Sequence, residues 1–96
     1  MKRLTKDYQA SLIEALRDPE EAAAYLTAAL AEQDMPTFLL ALRNVAEAKG
    51  MRALATKAQL NRESLYRMLS EQGNPHFASV QALLRALDFE LTVTAK

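Results

Sequence analysis

Five residues in this chain break or start helices, and their positions fix most of what it can fold into: Pro19, Pro36, Gly50, Gly73 and Pro75. Between them, apolar residues recur three and four apart, the period of a helix with one buried face. These stretches are rich in Ala and Leu, which sit in a helix at the lowest conformational cost. An all-α domain of five or six helices follows, with an aliphatic core, since Trp is absent and aromatics are 6%. Ninety-six residues hold one small core, not two.

The same composition excludes several functions. With no Cys and one His there is no disulfide framework, no thiolate metal site and no multi-His site, so neither a metal nor another cofactor is expected. No apolar run reaches the roughly 18 residues that span a bilayer. Met1-Lys2-Arg3 is basic, but no continuous apolar stretch follows it, so a secretory signal is not expected. The expectation is a soluble cytoplasmic protein without a membrane partner.

Tyr8, Leu12, Ile13 and Leu16 predict a helix over 5–17. Asp18-Pro19-Glu20-Glu21 opens the next: Asp18 as N-cap, proline at the first position, and two acids where the helix dipole favours anions. That helix carries Ala22, Tyr25, Leu26, Ala29 and Leu30 and stops near Asp34; Met35-Pro36-Thr37 is read as a break. Thr37 is expected to cap a helix over about 37–49, with Phe38, Leu39, Leu42, Val45 and Ala46 inward and Arg43, Glu47 and Lys49 outward. Gly50 ends it, with helices at about 52–58 and 62–70 beyond. Gly73-Asn74-Pro75 is a loop before a last helix at about 77–87, whose buried stripe is Phe77, Val80, Leu83, Leu84 and Leu87. In 89–95 the apolar residues alternate, predicting a short C-terminal β-strand. The domains expected are thus an N-terminal helical segment, 1–36, a second unit, 37–88, and the strand, 89–96.

Net charge is zero, yet 1–36 sums to −3, 37–96 to +3 and 43–67 to +4. Such a local excess suits an anionic partner. Inside that window, Met51 to Ser70 has the pattern of a helix-turn-helix. Ala55 is the small residue where two helices cross, Leu54 and Ala58 are apolar inside the first, and Leu60 is apolar in the turn. Asn61 caps the second helix, and Leu65, Met68 and Leu69 anchor it. Asn61, Arg62, Glu63, Ser64, Tyr66 and Arg67 are left outward, as a recognition helix requires. Arg62 or Arg67 could pair with guanine and Asn61 with adenine, and Tyr66 could touch a thymine methyl or a phosphate. Lys49, Arg52 and Lys57 are placed for phosphates. Gln59 stands where the turn's left-handed backbone usually takes Gly.

Together, Asp18-Pro19-Glu20, Ala24-Tyr25-Leu26, Phe38-Leu39-Leu40-Ala41-Leu42, the Met51–Ser70 motif and Gly73-Asn74-Pro75 with Leu83-Leu84-Arg85-Ala86-Leu87 resemble the probable addiction-module antidote family. These are HigA-like antitoxins with an Xre-type, lambda-repressor-like helix-turn-helix. The likeness covers about 12–95. It implies an antitoxin of a type II toxin–antitoxin module that neutralises a RelE/ParE-like toxin and represses its own operon as a homodimer on operator DNA. Carried over by position, Asn61, Arg62, Glu63, Tyr66 and Arg67 match the family's recognition helix. Gln59 and Asp88 stand where the family tends to have Gly.

RelE-like toxins are generally basic, so the acidic N-terminal segment, with Glu20, Glu21, Glu32 and Asp34 expected exposed, is a candidate toxin contact by charge together with an apolar face of Tyr8, Leu12 and Tyr25. The competing reading packs those three onto the core. The 89–95 strand is the candidate dimer seam. No enzyme is expected: His76 is a lone loop histidine, the serines have no base partner, and no Gly-rich phosphate loop exists. The alternative function is a stand-alone Xre-type repressor without a toxin.

Overall fold

In the computed structural model of the chain, which describes residues 6–70 and 72–96, Pro19 and Pro36 lie in the first turns of helices, Gly50 joins two helices, and Gly73 and Pro75 lie in a connection between two. The described residues form six helices: α1 (Lys6–Ala15), α2 (Pro19–Ala31), α3 (Met35–Lys49), α4 (Met51–Ala58), α5 (Arg62–Met68) and α6 (Phe77–Ala86). The basic stretch 1–5 lies outside the described residues, as does the first residue of the helix expected at 5–17.

Local chemistry accounts for the starts. The Asp18 carboxylate accepts from the Glu21 amide at 3.0 Å, and Pro19 occupies the first turn of α2. At α3 the structure corrects the sequence reading. Asp34, not Thr37, is the N-cap; its carboxylate accepts from the Thr37 amide at 3.1 Å and from the Thr37 hydroxyl at 2.6 Å. Met35-Pro36 is therefore the first turn of α3 and not a break. Proline fits there because a first-turn amide has no intrahelical acceptor to lose.

Gly50, at φ 103°, joins α3 to α4 in backbone that L side chains rarely adopt. Three other turns reach positive φ without glycine among the described residues, at Gln33 (φ 57°), Gln59 and Asp88. Gln59 sits at φ 60°, with the Leu60 amide donating to the Ala55 carbonyl at 2.8 Å and the Gln59 amide to Thr56 at 3.2 Å. Asp88 sits at φ 67°, with Phe89 donating to Leu84 at 2.8 Å and Asp88 to Arg85 at 2.9 Å. Both are Schellman caps. In each, the residue after the left-handed position, Leu60 or Phe89, packs against the core.

One buried cluster runs from Leu16, Ala22 and Leu26 through Leu39, Leu42 and Val45 to Leu54, Ala55, Leu65, Leu69, Leu83, Leu84 and Leu87. Helices α1 and α2 therefore share the core of α3–α6. Asn44 is the buried polar residue. Its amide donates to the Tyr25 hydroxyl at 2.9 Å, and its carbonyl accepts from the Gln9 amide at 3.1 Å, tying α1, α2 and α3 together.

Two further expectations fail. Phe77 was placed in the buried stripe of the last helix but is 67% exposed, because it begins α6 a full turn before that stripe meets the core at Val80. The C-terminal strand does not form: there is no strand among the described residues, and 90–96 are exposed without a ladder. The alternating pattern is present, but the fold offers no edge to pair with, and a strand needs a partner for its amides and carbonyls. Val93 is fully exposed.

Candidate nucleic-acid interface

The stretch α4–turn–α5 is held by few residues. Ala55 is buried in α4, and α4 packs against α5 as well as α3 and α6. The Schellman cap at Gln59 reverses the chain in two residues. The Asn61 side chain then accepts from the Ser64 amide at 2.7 Å and starts α5. Leu65 is fully buried and Leu69 nearly so, which fixes the rotation of α5 about its own axis.

That rotation decides which side chains face out. Asn61, Arg62, Glu63 and Arg67 are exposed and Ser64 is half-buried. No ion pair joins Arg52, Arg62 or Arg67 to a carboxylate among the described residues. An unpaired guanidinium presents a planar set of donors that matches a guanine edge or a phosphate.

Tyr66 is half-buried against the core, and the Arg43 guanidinium lies 5.3 Å from its ring centroid. Arg43 is held in turn by Glu47, Nε to Oε1 3.3 Å. Tyr66 thus links α5 to α3 while staying partly exposed.

The remaining bases divide into two groups. Lys49 and Lys57 flank a shallow depression with Ala53, Ala86 and Asp88, beside α6. Lys57 pairs with Asp88 at 3.3 Å, but both side chains are mostly exposed, so the pair contributes little. Arg67 instead lines an open cleft with Ser64, Asn74, His76 and Ser79. Sequence reasoning treated Asn74 and Ser79 as loop and helix without assigning them here. The signal was Gly73: a Cβ there would meet the Met68 carbonyl oxygen at 2.3 Å, so the connection is pressed against the end of α5.

Of the residues put forward for protein contact, Leu12 and Tyr25 pack against the buried cluster, and the Tyr25 hydroxyl is engaged by Asn44. Tyr8, Glu20 and Glu21 are exposed. No group of three or more acidic or His side chains able to hold a metal occurs among the described residues. No helix of the described residues is long and apolar enough to cross a membrane.

A family model described as "Probable addiction module antidote protein" matches residues 5–95. A protein of Haemophilus influenzae, described as uncharacterized, is 38% identical over 88 residues, covering 92% of this chain and 89% of that protein. No solved structure matches.

Proposed function

The chain belongs to the probable addiction module antidote family, and from that premise we propose that it is the antitoxin of a type II module. It neutralises a RelE/ParE-like toxin and represses its own operon through a HigA-like, Xre-type helix-turn-helix formed by α4 and α5. Membership in an antidote family implies a toxin partner of some kind. The observation that carries the DNA half is the pose of α5: Leu65 is fully buried while Arg62, Glu63 and Arg67 face solvent at its leading end and along one side.

In this reading α5 enters the major groove. Arg62 and Arg67 address base edges with Asn61, Glu63 and Ser64 beside them, and Arg52, Lys49 and Lys57 contact phosphates. Tyr66 acts by bracing α5 through Arg43. One α5 covers only a half-site, so two copies bind together. The reading assigns the chain no catalytic step.

A gel-shift titration on the DNA upstream of its own gene tests it, run against a scrambled duplex. Affinity should fall steeply with salt, and the native sequence should win by at least tenfold. Equal binding to both duplexes would leave the antidote family in place and remove sequence-specific repression.

A further inference from the structure

The segment before the basic window has its own chemistry. From residue 18 to residue 42 there are five carboxylates, Asp18, Glu20, Glu21, Glu32 and Asp34, and no Lys, Arg or His. All five are exposed. The next 25 residues reverse the sign to +4. Helix α2 and the first half of α3 therefore carry acidic side chains and no basic ones, and the segment that follows is net positive.

An apolar groove lies in that acidic segment. Tyr25, Ala28 and Ala29 of α2 form one wall and Thr37 and Leu40 of α3 the other, with Glu32 at the rim. Leu40 is 53% exposed, although it stands within a helix whose Leu39 and Leu42 are fully buried. Ala28 is exposed as well, so the groove floor is small and open. Burying Leu40 against another surface removes apolar area from water, and none of the described residues does so.

The charges select the occupant. A two-fold contact between copies would set the same five carboxylates against one another. A head-to-tail contact would lay this surface on the basic segment of the next copy, cover α5 and propagate without closing. Duplex DNA is repelled outright. We propose that the α2–α3 groove is the docking site for the toxin, which inserts an apolar side chain between Ala28 and Leu40 from a surface flanked by Lys or Arg. This rests on the antidote reading above and assigns it a surface: toxin and operator occupy separate sets of residues on one antitoxin molecule.

The experiment is a binding titration of the full chain against the purified product of the reading frame co-transcribed with it. It is run for the wild type, Leu40→Glu, Glu32→Lys and Arg62→Ala. Leu40→Glu should weaken the complex by about 30-fold or more, because it places a charge at the centre of the contact. Glu32→Lys should slow association several-fold, and the deficit should shrink at high salt. Arg62→Ala should bind the toxin as the wild type does. Unchanged operator affinity for Leu40→Glu shows that this variant is folded. If the wild type binds and Leu40→Glu binds equally well, the groove is the wrong surface while the antidote reading stands. If the wild type forms no complex, both fall. A dimer of the chain alone that Leu40→Glu dissociates would assign the groove to a second copy and overturn the proposal.

Discussion

At the scale of single residues, α5 separates two kinds of substitution. Leu65→Ala removes a fully buried anchor and should cost roughly 2–5 kcal/mol of stability, measured by chemical denaturation, with DNA binding lost because the fold is lost. Arg62→Ala removes an exposed side chain and should leave stability within about 0.5 kcal/mol. It should cost about 1–3 kcal/mol of operator affinity and flatten the preference for native over scrambled DNA. Gel shifts and denaturation on the same two variants check both statements. The residues that form the buried stripes were legible in the sequence: Leu42, Val45, Leu65 and Leu83 lie where the period placed them. Tyr66 was not, because a tyrosine on a helix flank reads equally well as probe or brace. Only the fold shows its contact with Arg43, 23 positions away in sequence.

At the scale of elements, the informative positions are the caps. Asp18 and Asn61 announce their helices in sequence and cap them in the structure. Asp34 was overlooked because Pro36 reads as a break. It is equally a first-turn residue, and the acid two positions before it is what distinguishes the cases. Asp34→Ala should cost about 1 kcal/mol by thermal or chemical melting, the usual value of a lost N-cap. Gly73→Ala should cost about 1–3 kcal/mol, since the added methyl meets backbone carbonyls of Met68 and Ser70 that cannot rotate away. It should also reduce DNA affinity, because the displaced connection carries the cleft beside Arg67. The tail is the opposite case. Phe89-Glu90-Leu91-Thr92-Val93 has a strand's alternation, but its first residue is taken by the Schellman cap and no strand among the described residues lies alongside the rest. Period states what a segment could bury, and the fold decides whether a neighbour exists.

At the scale of the whole molecule, zero net charge conceals a chain divided into a negative segment on α2 and early α3 and a positive one from Arg43 to Arg67. The division was visible in the sequence. The groove at Ala28 and Leu40 was not, because it depends on how α2 crosses α3. The positive segment should make DNA binding strongly salt-dependent, and Lys49→Ala should weaken all duplexes alike while lowering the salt slope by about 1. The most direct test of the account is to map backbone amide resonances while titrating the chain with the duplex upstream of its own gene. Shifts are predicted at Asn61–Arg67, Lys49 and Arg52, with α2 unmoved. Shifts centred on α2 and the first half of α3, or none along α5, would contradict it.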